Sequence, residues 1–165
     1  MNLVYDRTAE DVERALALAK KAEAGTLTDA EKTEWLAGMK GCYNAADMNR
    51  VEAAVQTLAA ELNAAEYTVE TIPQSFAETD IVRLSQWRQY LANVQALRDA
   101  YYTLAETGQL PDAADRLDYA GANTIEKILA DIDMLIGWMK SSYRRCGTFR
   151  AGKNAQHLLL AKGVN

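Results

Sequence analysis

The chain has 165 residues, of which 49% are apolar and 25% charged, as is typical of one soluble globular domain. No apolar run approaches the roughly 20 residues that span a bilayer, and the N-terminus lacks the basic and apolar regions of a signal peptide. We therefore expect no membrane association, and synthesis in the cytoplasm.

Capping boxes mark the first two predicted helices. Thr8 with Asp11, and Thr28 with Glu31, provide the side chains that satisfy free backbone amides at a helix start. These two helices are expected to end at the glycines in positions 25 and 38. The spacing of apolar residues in the first helix predicts that one face is buried, and this face carries Val12, Leu16, Ala19 and Ala22.

The third predicted helix begins at the cap Asn44, with Asp47 completing the box. Its apolar residues alternate by three and four, a spacing that suits packing in a helical bundle. From position 64 to about 80 the helical pattern fails and Pro73 interrupts it, which predicts an extended linker.

Two further helices are predicted after the linker. The first runs to about Tyr102, and a loop containing Gly108 and Pro111 follows it. The second runs from Asp118 to about Tyr143 and carries the widest apolar stripe, so we expect it to be the most buried element.

The third and last helices repeat one pattern at an offset of 74 residues. Each has a cap followed by Asn-x-(Val/Ile)-Glu, and the apolar register continues in step through Val51/Ile125, Val55/Leu129, Leu58/Ile132 and Leu62/Ile136. A shared offset of this kind indicates an internal repeat. We predict an all-α fold in which two duplicated helical hairpins form an up-and-down four-helix bundle. The bundle covers residues 1–145, with halves 8–63 and 81–143 joined by the linker 64–80.

The repeated polar pairs, Asn49 with Glu52 and Asn123 with Glu126, are the candidate site. Two carboxylates could bind metal or act as acid and base, but di-metal bundles use four carboxylates and two histidines, and no histidine lies in a long predicted helix. A glycosidase pair needs a sugar-sized cleft, which two helix edges of a narrow bundle do not offer. The favoured interpretation is structural: these groups satisfy each other or loop backbone, or contact another subunit.

Other chemistry-bearing residues are few. His157 has no Cys or His at ligand spacing, and Cys42 and Cys146 lack a CxxC spacing, so no zinc site is predicted and the thiols are expected to be reduced. No phosphate-binding glycine loop, serine elbow or Cys-His pairing is present. We predict no enzymatic activity and no cofactor. The tryptophans and Tyr90, Tyr101 and Tyr102 are expected in the core, with an exposed patch for a partner protein as the alternative.

Charge is divided unevenly along the chain. All 23 acidic residues lie at or before Asp133, whereas six basic and no acidic residues follow it. An irregular basic tail is predicted over residues 146–165. The candidate partner contacts are Arg144, Arg145, Phe149, Arg150 and Lys153. An acidic body repels a nucleic-acid duplex, so we expect the tail to dock on protein, either its own body or a neighbouring copy.

A family resemblance covers most of residues 5–145 and rests on four segments, Tyr5 to Val12, Glu34 to Glu52, Tyr90 to Arg98 and Tyr119 to Glu126. In these segments the sequence resembles small proteins encoded among the tail genes of bacterial prophages. The segment Asp47-Met48-Asn49-Arg50-Val51-Glu52 is also similar to one in phage tail-fibre and baseplate proteins. The resemblance implies a part of a virion and supplies no catalytic residues.

The resemblance implies a structural or adaptor component of a phage tail or tail-like particle, and the lack of a catalytic motif predicts that this component is not an enzyme. Its expected partners are other tail proteins or copies of itself, in a homo-oligomer, with no nucleic acid and no membrane. Its expected location is the virion, after assembly in the bacterial cytoplasm. The alternative is a phage-encoded binding, assembly or regulatory module that stays in the cytoplasm.

Overall fold

The computed structural model describes residues 1–146, with side chains described as far as Ser142. These residues form five helices and no strand, so the all-α prediction is confirmed. The helices are α1 (Ala9–Glu23), α2 (Asp29–Leu36), α3 (Ala45–Ala64), α4 (Leu84–Ala100) and α5 (Tyr119–Cys146). None of them is long and apolar enough to cross a bilayer.

The predicted helix starts are confirmed by their hydrogen bonds. Thr8, Thr28 and Asn44 each accept a bond from the backbone three residues later, and Asp11, Glu31 and Asp47 complete the three boxes. Asp118 accepts from the Gly121 amide at the start of α5. Local side chains therefore decide where four of the five helices begin.

The core lies between α3, α4 and α5, each of which packs against the other two. Each of the four repeated apolar pairs is buried, with no member more than 3% exposed. Val69 and Phe76 of the linker are also buried and join the same core. The linker is thus part of the packed structure.

The three core helices run in the same direction. Arg50 contacts Glu126 near the starts of α3 and α5, and Glu61 contacts Lys140 near their ends. Along α4, Tyr90 bonds to Tyr43 just before α3, and Tyr101 packs on Tyr67 just after α3. The four-helix up-and-down bundle is therefore not confirmed, because residues 65–83 and 101–118 return the chain to the starting end before α4 and α5.

The first two helices form an antiparallel hairpin beside this core. Arg14 pairs with Glu34 at 2.7 Å and Lys21 pairs with Glu31 at 2.5 Å, while α2 has no buried residue. Helix α1 buries Ala15 and Leu18. The prediction of α1 as a full bundle helix fails because its mostly small apolar side chains bury too little area to compete for the core.

The predicted buried face of α1 borders a cavity instead. Val12, Leu16 and Ala19 line a space of about 500 Å³ between α1 and the start of α5, and Leu16 is 57% exposed. Cys42 lines the same cavity, beside the start of α5. Since Cys42 lies beside the start of α5 and Cys146 ends it, roughly 40 Å of helix prevents a disulfide within one chain.

The core prediction for the aromatics holds in part. Tyr90 is fully buried and Trp87 stacks on its ring at 5.2 Å. Trp35, Tyr102 and Trp138 are exposed by 36%, 67% and 56%, so placing them in the core was wrong. They lie on α2, after α4 and on the outer side of α5, where no described helix is left to cover them.

Gly41, in the loop before α3, lies directly against the backbone of α1. A Cβ at this position would lie 2.0 Å from the Asp11 carbonyl oxygen, so Gly41→Ala should destabilise the protein by about 2 kcal/mol through overpacking. Gly137 is the matched control, because its Cβ would meet nothing within 4 Å, and Gly137→Ala should stabilise α5 by up to about 1 kcal/mol. Urea unfolding followed by circular dichroism measures both, and equal effects would contradict the close approach.

Candidate functional site

The two repeated asparagines make the same contact in their two surroundings. Asn49 Nδ2 donates to the Phe76 carbonyl at 2.8 Å, and its Oδ1 accepts the Phe76 amide at 2.9 Å. Asn123 pairs in the same way with the backbone of Arg7, at 2.8 and 3.0 Å. Each amide side chain therefore completes both hydrogen bonds of one residue in an extended segment.

Each contact holds an extended segment against a helix. Helix α5 holds Val4 and Arg7, which precede α1. Helix α3 holds Phe76 of the linker, which leads into α4. The pairs predicted as the candidate site thus lie against loop backbone, and the structure does not bring Glu52 and Glu126 together in one cleft.

The two repeated glutamates differ in what neutralises them. Glu126 is fully buried, accepts the Val4 amide at 2.6 Å, and contacts Arg7 and Arg50 at 2.8 Å each. Glu52 is 3% exposed and accepts from Asn93 Nδ2 at 3.2 Å. Within residues 1–142, no basic side chain forms an ion pair with Glu52. The glutamate of one copy is therefore paired with arginines, and the glutamate of the other copy is hydrogen-bonded to an asparagine side chain.

Arg7 and Arg50 complete a buried ionic cluster with Asp47 and Glu126. Arg7 contacts Asp47 at 3.2 Å and also donates to the carbonyls of Lys40 and Val4. Arg50 contacts Asp47 at 2.6 Å. Two guanidinium groups face two carboxylates, so the cluster is neutral, and its groups bond to each other and to backbone. Such a cluster orders the N-terminal segment and leaves no free acid or base.

Tyr43 and Tyr90 close the cluster on its apolar side. The Tyr43 ring lies under the Arg7 guanidinium at 5.3 Å, and the two tyrosine hydroxyls bond to each other. Burial raises the pKa of both hydroxyls above the usual range for tyrosine. These hydroxyls are therefore neutral at ordinary pH and act as hydrogen-bonding groups.

Burial also raises the pKa of Glu52, against the lowering effect of hydrogen bonds from Asn93, the Gln74 backbone and Gln56. A raised folded-state pKa stabilises the fold below the unfolded value of about 4.3, and this contribution is lost as pH rises through the folded value. Glu52→Gln removes the titrating group. We therefore expect the variant to gain stability relative to the parent between about pH 4 and pH 7.

Urea unfolding at several pH values measures this difference. Glu70→Gln is the control, because Glu70 is exposed and should show no such relative gain. A Glu52→Gln variant that loses stability relative to the parent as pH rises would contradict the burial effect.

Sequence reasoning missed Arg7, Arg50 and Asn93 as members of the site. Asn93 is 1% exposed, donates to the Ile72 carbonyl at 2.8 Å, accepts the Ile72 amide at 3.0 Å, and reaches Glu52. The available signal was a polar residue inside the apolar stripe of α4, since such a residue must find a partner when buried. The contacts of Arg7 depend on distant elements and leave no local pattern.

The predicted partner contacts fall at the limit of the described residues. Arg144 and Arg145 belong to the last turn of α5, but their side chains are not described, and Phe149, Arg150 and Lys153 lie outside the described residues. The predicted tail 146–165 is likewise outside them, apart from Cys146, which ends α5.

Within residues 1–142, no group of three or more His, Cys, Asp or Glu side chains is placed to hold a metal ion. No protein-family model matches the chain, and comparison with curated proteins and with solved structures finds no significant similarity.

Proposed function

We propose that this protein is a non-enzymatic structural or adaptor component of a phage tail or tail-like particle. The tail assignment rests on the resemblance of residues 5–145 to proteins encoded among prophage tail genes. The structural role is supported by the polar groups of the repeated motif, which hold extended segments of the protein's own backbone. Reactive chemistry would need these groups free to meet a substrate.

Exposed apolar side chains at two separate places carry the proposal of a protein-binding role. Trp35 and Leu36, the latter 85% exposed, end α2 in the hairpin. Tyr102, Met134 and Trp138 lie near the other end of the core. Large apolar side chains left in water at two places suit a component that contacts different neighbours, such as other tail proteins or further copies.

Mass spectrometry of purified particles tests the proposal. We expect peptides of this protein in particles at a fixed ratio to known tail proteins, and loss of intact tails when its gene is deleted. A protein that is abundant in the lysate but missing from particles would contradict the proposal and favour the cytoplasmic assembly or regulatory module.

The basic residues provide a sharper test of docking. Replacing Arg144, Arg145, Arg150 and Lys153 with Gln should weaken binding to the neighbouring tail protein or reduce self-association, and added salt should mimic the change. The control replaces four exposed basic residues elsewhere in the chain with Gln, namely Lys20, Arg83, Arg88 and Arg116. Equal loss in both variants would indicate a general charge effect and contradict docking through the tail.

A further inference from the structure

An apolar patch, defined here as Tyr102, Met134 and Trp138, lies on one side of the C-terminal half of α5. These side chains are 67%, 38% and 56% exposed. Tyr102 lines the same small cleft as Asp131 and Ile132, which places it within a turn of Met134 on α5. Trp138 follows Met134 by one turn on the same face. Large apolar side chains that are exposed next to one another commonly mark a binding surface.

The chain itself supplies a segment of matching character close by. Nineteen residues follow Cys146, and the longest apolar run among them is Leu158-Leu159-Leu160-Ala161. Trp138 lies roughly 12 Å along the helix from Cys146, at 1.5 Å per residue. The twelve residues from Cys146 to Leu158 span up to roughly 40 Å when extended. The leucines can therefore reach the patch with length to spare.

Attachment to the same chain favours this segment over a second copy. A short tether gives an effective concentration in the millimolar range, well above the concentration of free copies in dilute solution.

We propose that Leu158, Leu159 and Leu160 bind over the patch of their own chain and cover Trp138. This inference concerns one chain in solution. A neighbouring protein would reach the patch only by displacing the leucines, whereas Trp35 and Leu36 in the hairpin stay available to it, so either proposal can fail without the other.

Quenching of Trp138 fluorescence by acrylamide tests the contact in the full chain. Trp35→Phe and Trp87→Phe leave Trp138 as the single tryptophan, and a second variant adds Leu158→Ser, Leu159→Ser and Leu160→Ser. We expect acrylamide to quench the Trp138 fluorescence of the serine variant about threefold more strongly, because its indole is half exposed once the leucines no longer cover it. The matched control is Val164→Ser, which lies outside the leucine run and should leave the quenching unchanged.

Two results would overturn the proposal. Equal quenching with and without the leucines means that the tail does not cover the patch. Shielding that disappears on dilution means that a second copy covers it. A photo-crosslinker at position 159, with all natural tryptophans retained, provides an independent measurement. Crosslinks to residues 134–142 within a monomer support the contact, and crosslinks found only in dimers or elsewhere contradict it.

Discussion

Replacing Glu126 with Gln should lower the free energy of unfolding by about 3–5 kcal/mol, the range for breaking a buried ion pair by removing one partner. The carboxylate is fully buried and contacts both Arg7 and Arg50. The Arg7 side chain is only 2% exposed, so the loss leaves its charge without half of its compensation. Urea unfolding followed by circular dichroism at neutral pH measures the effect.

The equivalent position in the other half provides the control. Glu52→Gln removes a carboxylate with no arginine partner, and an amide oxygen can still accept from Asn93, so the change should stay within about 1 kcal/mol. A similar large loss in both variants would mean that the ionic cluster is not what distinguishes the two copies. A small loss for Glu126→Gln would mean that the cluster contributes little to stability.

Asn93→Ala should cost about 3 kcal/mol, because the side chain is 1% exposed and makes four hydrogen bonds, two with the Ile72 backbone and one each with Glu52 and Gln89. The linker returns the chain from the end of α3 to the start of α4, and Asn93 fixes its middle. We therefore expect linker residues near Ile72 to lose protection in hydrogen exchange as well as a lower unfolding free energy.

Asn63→Ala is the matched control for this prediction. Asn63 pairs with both backbone groups of Val69, at 2.9 and 3.0 Å, but it is exposed. Its removal breaks two hydrogen bonds and leaves no buried space, so the loss should be about 1 kcal/mol. If the two variants lost equal stability, burial would not govern the strength of these amide–backbone pairs.

Local features of this fold could be predicted because the residues that cause them are neighbours. The caps at Thr8, Thr28 and Asn44 act within three residues, and the apolar register of α3 and α5 depends on one helical period. The repeat also marked Asn49 and Asn123 as a pair. Their common contact with extended backbone agrees with one of the alternatives considered from the sequence.

Helix direction could not be predicted from the same signals. An apolar stripe shows which face is buried and is the same for a helix running up or down. The length of the linker does indicate the direction of the next helix. Helix α3 is about 30 Å long, at 1.5 Å per residue, and the 19 residues after it can extend about 60 Å. A connection of that length can return to the starting end, whereas an antiparallel neighbour needs only a short loop.

The ionic cluster escaped prediction because its members come from separate parts of the chain. Arg7 precedes α1, whereas Glu126 lies in α5, 119 residues later. Neither residue lies in a local sequence pattern that indicates contact with the other. Buried charges of this kind are recognised only when the packing of α3, α5 and the N-terminal segment is known.

The common direction of α3, α4 and α5 gives the molecule an electrical polarity. Peptide dipoles along each helix leave about half a positive charge at its start and half a negative charge at its end, and parallel helices add these where antiparallel ones cancel them. Lys140, Arg144 and Arg145 stand in the last two turns of α5, at the negative pole. The three cations offset that pole, and three parallel helices favour basic residues at this end of the core more strongly than an antiparallel bundle would.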